Sequence, residues 1–186
     1  MSLRFIIGFL SGLLAGAGAG PAIAAPGEGE ARGTATARIA APLGARTLSP
    51  LDFGAVESNR QTPGAVVIGP DTSGRQFVAG AKAGACDDAA PCAARPARFA
   101  ITGEAGREYR ITLPDTAIAR STAGHGATLR VAELKLASAH SGAGPQHLRL
   151  DHSGRDMVYV GGTLFVHPNA PAGHYTAQIE ISVAYN

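Results

Sequence analysis

Tryptophan is absent from the 186 residues, and aromatic side chains of all kinds make up only 5% of them. No stretch is dense enough in rings to mark a stacking face for bases or sugars. Charge of either sign is also scarce and nearly balanced, with 16 basic against 14 acidic side chains and a formal net charge of +2. That balance gives no reason to invoke nucleic acid or an anionic membrane as a partner. Helical periodicity is missing too, because 25 glycines and 12 prolines interrupt every stretch long enough to carry it. Cysteine occurs twice, at Cys86 and Cys92 in "CDDAAPC". The spacing has five intervening residues, not the two of a redox CxxC pair, and a metal site would need two more converging ligands. No run of apolar residues beyond the first twenty or so approaches the length of a membrane span.

What is there begins with a targeting pattern. Arg4 supplies a short basic start, Phe5 to Ala19 an apolar stretch broken by glycines, and Ala22-Ile23-Ala24 a small-x-small cleavage pattern. Residues 1–24 therefore read as a signal peptide, and the chain as exported, with no membrane span after cleavage. An N-terminal anchor is the competing reading, but the run is short and rich in glycine for that. In an oxidising compartment, Cys86 and Cys92 are expected to form an intraloop disulfide. Closing so short a loop contributes about 2 kcal/mol, enough to pin a loop but not to hold a fold.

Residues 25–33 form a polar, glycine-rich lead, and 34–186 suit a single domain. In that domain "TATARIAAPL" alternates through Ala35, Ala37 and Ile39 to Leu43, a candidate first strand. Apolar segments follow at short intervals, from "LSPLDFGAV" to "DMVYVGGTLFVH", separated by "PDTSGR", "TGEAGR", "DHSGRD" and similar turn chemistry. Many short strands of this kind imply an all-β, immunoglobulin-like sandwich of antiparallel strands. In "FAITGEAGREYRITL", Phe99, Ile101, Tyr109, Ile111 and Leu113 share a face, which suggests a hairpin. In "TLRVAELKL", Leu129 and Val131 differ in parity from Leu134 and Leu136. A one-residue bulge near Ala132 or Glu133 would bring all four to the core. Tyr109, Tyr159 and Tyr175 are all expected to pack in the core. The chain ends on "HYTAQIEISVAYN", where period two runs from Tyr175 through Ile179, Ile181 and Val183 to Tyr185.

Catalytic patterns are weak. "PDTSGR" resembles the Asp-Thr-Gly of aspartic proteases, but Ser73 intervenes, there is no second copy, and Pro-Asp-x-x-Gly is an ordinary turn. "LDHSGRD" and "SAHSGAG" place Asp151, His152 and Ser153, and His140 and Ser141, side by side, whereas a triad needs them to converge from different elements. The six histidines lack metal-ligand spacing, and a surface site from His140, His147 and His152 is a minor alternative. The glycines lack the strand-to-helix setting of a phosphate loop. No catalytic residue, metal ligand or cofactor is assigned, and the chain is expected not to be an enzyme.

"LDFG" at 51–54, "GAVVIGPDTSGR" at 64–75, "FAITGEAGREYRITLP" at 99–114 and "VYVGGTLFVHPNAPAGHYTAQIEISVAYN" at 158–186 together resemble the domain of unknown function 4402 family, over roughly residues 34–186. That family comprises secreted or surface proteins of Gram-negative bacteria without an established activity. It is similar in turn to archaic chaperone-usher pilins and to spore coat protein U type subunits. In such subunits the last strand has a glycine fourteenth from the end, alternating apolar residues and a penultimate aromatic. Gly173, Ile179, Ile181, Val183 and Tyr185 match that pattern, with Tyr175 two residues after the glycine. The resemblance implies a fimbrial or surface-coat subunit that assembles by strand donation, with a periplasmic chaperone, an usher and copies of itself or related subunits as partners. Ala35, Ala37, Ile39 and Leu43 would be donated, although mostly small. If they instead close their own sheet, the protein is a self-complete sandwich that binds a ligand or an envelope protein.

Overall fold

The structure is a computed structural model, and it describes residues 41–71, 74–86, 93–122, 126–144 and 147–186. Among these residues there are fourteen strands and no helix, so none crosses a membrane as a helix. They are β1 (Gly44–Ser49), β2 (Leu51–Ser58), β3 (Gly64–Ile68), β4 (Arg75–Ala79), β5 (Ala81–Ala83), β6 (Ala97–Thr102) and β7 (Glu108–Thr112). The second half holds β8 (Thr116–Ser121), β9 (Thr128–Ser138), β10 (Gly142–Ala143), β11 (Leu148–Arg149), β12 (Arg155–Val166), β13 (Gly173–Ala177) and β14 (Ser182–Tyr185).

All pairings are antiparallel. A large sheet runs β1-β6-β12-β9-β8-β13-β2-β5, with β3 and β4 continuing from β12 and β10 beside β9; a small sheet runs β11-β7-β14. The large sheet curls, so that β2 near one end touches β12, β3 and β6. One core takes Phe53, Phe99, Ile101, Val158 and Tyr175 from the large sheet and Tyr109, Ile111 and Leu148 from the small one. This is an all-β sandwich, as the many short strands imply.

The organising strand is β12. Its first half pairs with β6, its second half with β3, and β9 runs along its other side. The two partners change over at Gly161-Gly162. A Cβ on Gly161 would come within 2.2 Å of the Ile68 carbonyl oxygen, so no larger residue fits where β3 leaves the sheet. Opposite this point the register slips, with Gly161 facing Lys135 and Thr163 facing Ala132. Glu133 takes up the extra residue at φ 53°, and its carboxylate accepts a 2.7 Å bond from Thr163 Oγ1. This bulge buries Leu129, Val131 and Leu136 and packs Leu134 against the core, as the parity break in "TLRVAELKL" requires.

Two local expectations are corrected. β6 and β7 do not form a hairpin. β6 pairs with β1 and β12 in one sheet, and β7 with β11 and β14 in the other. Phe99, Ile101, Tyr109 and Ile111 do share the core, but across the sandwich instead of side by side. Alternation fixes which face is buried; stacking and pairing satisfy it equally. The loop between them is held by the turn before β12, where Gly103 N donates to Gly154 O (2.9 Å) and Gly106 N to Asp151 O (3.0 Å). The second correction is Tyr159, which is half-buried and outside the core, while Tyr109 and Tyr175 are fully buried within it.

Candidate functional site: the two halves of the terminal strand

The uninterrupted terminal strand expected from its alternation is divided between the two sheets. The first half, β13, lies between β2 and β8: Tyr175 faces Gly54 on one side and Ser121 on the other. Tyr175 is fully buried, and its hydroxyl donates to Pro171 O at 2.7 Å. Burial raises its pKa. The chain then leaves the large sheet over residues 178–181, with Ile179 still buried. It enters the small sheet as β14, where Val183 faces Ile111 and Tyr185 faces Tyr109.

The "LDFG" segment explains how β13 is gripped. Between Tyr175 and Thr176, β13 advances one residue while β2 advances from Gly54 to Asp52, so Phe53 is the extra residue of a bulge. Gly54 has φ 68°, a region that strongly favours glycine. The Asp52 carboxylate, only 3% exposed, accepts from Gly54 N at 2.9 Å and holds the bulge. The same oxygen lies 2.5 Å from Nε2 of His174 on β13. Arg95 Nη2 stands 3.6 Å from the other oxygen. Arg75 Nη1 donates to the carbonyls of Phe53 and Ala55 at 2.7 and 2.8 Å. Its pKa is lowered by burial, an effect that the Asp52 charge partly offsets. Asp52 and His174 thus join two of the motifs, a contact that no local spacing could announce because 122 residues separate them.

The second half is held differently. β14 ends the order β11-β7-β14, so among the described residues it has a strand neighbour on one side. Its apolar side chains are less covered than those of β13: Val183 and Tyr185, like Ile181 just before the strand, are half-buried against the core. Tyr185 is nevertheless anchored by its own chain. Its hydroxyl accepts from Glu104 N at 2.7 Å and donates to Ala41 O at 2.8 Å, and the Arg107 guanidinium sits 4.3 Å above its ring.

Of the residues proposed for donation, Ala35, Ala37 and Ile39 lie outside the described residues. Leu43 is half-buried against the core and belongs to no strand; the first described strand starts one residue later, at Gly44. The Cys86–Cys92 pairing also lies outside the described residues at its Cys92 end. Asp151 accepts from Ser153 N, Ser153 Oγ and Arg155 N at 2.7–2.9 Å, which makes 151–155 a carboxylate-capped turn. Its pKa is lowered, first by the Arg155 amide and then by the Ser153 hydroxyl. His152 is exposed in that turn, His140 is exposed just after β9, and His147 stands 3.9 Å from Glu108. No group of three metal-ligating side chains occurs among the described residues.

Residues 43–185 match the family model described as a domain of unknown function, DUF4402. The chain belongs to that family. The match spans the sandwich from Leu43 to Tyr185, so the DUF4402 domain contains both the Asp52–His174 contact and all of β14. No curated protein and no solved structure matches the chain.

Proposed function

We propose that the protein is an exported, non-enzymatic structural subunit, fimbrial or surface-coat-like, that assembles by strand addition along the outer edge of β14. The observation that carries this reading is the contrast within one terminal segment. β13 has a neighbour on each side and buries Tyr175 and Ala177 completely, while β14 has one strand neighbour among the described residues, and Val183 and Tyr185 on it, with Ile181 just before it, are half-covered. An added strand would supply main-chain bonds to the open edge, and its alternate side chains would complete that cover. A periplasmic chaperone would occupy the edge first and a neighbouring subunit later, through its segment Ala35 to Leu43. The Cys86–Cys92 disulfide is part of the same reading, because an exported chain meets an oxidising compartment.

One contact favours a second reading. Tyr185 on β14 donates its hydroxyl proton to Ala41 O in the same molecule, so β14 is already tied to the residues just before β1 of its own chain. The protein would then be a self-complete envelope sandwich that binds a ligand or an envelope protein. Native mass measurements over a range of concentrations, with and without a peptide of residues 33–45, separate the two. Oligomer ladders, or aggregation that the peptide converts to heat-stable monomer, are expected for the subunit. A stable monomer indifferent to the peptide would sink it. Alkylation of the same samples with and without reductant tests the disulfide, which fails if both thiols react without reduction.

A further inference from the structure

We propose that the outward face of β1, β6 and β12 binds an acidic polysaccharide. Cross-strand register brings its residues into rows. Gly44, Thr102 and Arg155 align across the three strands; Arg46, Ala100 and Met157 form the next outward row; Arg98 and Tyr159 pair in the third. The alternating residues Phe99, Ile101, Asp156 and Val158 point inward and are buried. Arg46, Arg98 and Arg155 are exposed, and none of their guanidinium groups has a hydrogen bond or ion pair among the described residues. Strand geometry sets the Cα atoms of Arg46 and Arg98, one strand and one outward row apart, at roughly 8 Å.

This face is concave. A groove of about 760 Å³ is lined by Arg46, Ala100, His140, Arg155 and Met157, and a second of about 560 Å³ by Arg95, Arg98 and Tyr159; Ala139 lines both. Three carboxylates also line them. Asp151 is committed to its turn, and Asp156 is held by Tyr109, Ser138 and the Met157 amide. Asp71, which lines the second groove, is exposed and is the one carboxylate of the three left to offset the arginines. The balance is cationic in a molecule whose whole charge is almost neutral.

Guanidinium forks match carboxylate or sulfate groups in planar, bidentate geometry. The half-buried Tyr159 offers a ring against which the apolar face of a sugar can lie, and Ala100, Ala137 and Ala139 keep the surroundings low enough to admit it. An acidic peptide would use the same charges but not need the ring. The site stands independently of how the subunit assembles.

The test is titration of the purified protein with alginate (a polyuronate), dextran sulfate, neutral dextran and polyglutamate. Binding of alginate or dextran sulfate, weakening with added salt and absent for neutral dextran, is expected; the tighter of the two tells carboxylated from sulfated sugar. Replacing Arg46, Arg98 and Arg155 together by Ala should weaken it more than about tenfold, and Tyr159→Ala several-fold. Arg120→Ala, on β8, should change nothing. Failure to bind either anionic polysaccharide, or binding that survives the triple replacement, overturns the proposal. Polyglutamate binding as tightly, with Tyr159→Ala without effect on any ligand, overturns it in favour of an acidic peptide.

Discussion

Tyr109 shows how a fully buried polar group can specify a core. Its hydroxyl donates to Asp156 Oδ2 at 2.6 Å, and Ser138 Oγ donates to the same oxygen at 2.6 Å. Asp156 is 7% exposed, so its charge is satisfied by neutral donors from three different strands. Burial, the hydrogen bond to Asp156 and the negative charge nearby, in that order, all raise the Tyr109 pKa above its ordinary value of about 10. A group that holds its proton more tightly in the fold contributes stability that is complete below the unfolded pKa. That contribution fades as the pH climbs above about 10. Tyr109→Phe should lower stability near neutrality by about 1–3 kcal/mol, because the carboxylate loses a donor. It should also flatten the alkaline fall. Urea midpoints between pH 7 and 11 test both effects, and parallel profiles for the two proteins would refute the role given to the hydroxyl.

At the scale of elements, the changeover in β12 is the least forgiving point. A Cβ at Gly161 would meet Ile68 O at 2.2 Å and Pro70 N at 2.7 Å, both backbone atoms that move only with β3. Gly161→Ala should cost roughly 1–3 kcal/mol by overpacking, and a variant that melts together with the parent would show that β3 yields easily. Strand identity was legible in the sequence wherever alternation met a partner with one buried face. The β9 bulge was legible as well, since Leu129 and Leu136 differ in parity yet both need burial. The pairing of β6 with β1 and not β7 was hidden, because a shared apolar face says nothing about which side of the core a strand occupies. β1 itself was missed: "GARTLS" holds one large apolar residue, Leu48, and that residue is exposed. The break after Ala177 left no trace, since burial keeps period two to Ile179 and the half-buried side chains continue it. Tyr159 could have been read correctly. In "RDMVYV" it shares the parity of Arg155 and Met157, not that of Val158 and Val160.

The whole molecule places unequal attachments in series. β13 is laced into the large sheet from both sides and locked to β2 through His174 and Asp52, whereas β14 holds to β7 through four residue pairs on one side. The Tyr185 hydroxyl and the Arg107 stack add to this, as do bonds from Arg110 Nη1 to Tyr185 O at 3.4 Å and from Asn186 N to Glu108 O at 3.2 Å. Drawn from the Asn186 end, such a chain acts as a mechanical fuse in front of a clamp. β14 would peel at low force, releasing a short length while the sandwich stays intact, and the clamp at β13 would give way at a higher force. Single-molecule extension should therefore record a small early step before the main rupture; a single rupture would mean that the halves yield together. A tether built this way absorbs a brief pull without unfolding.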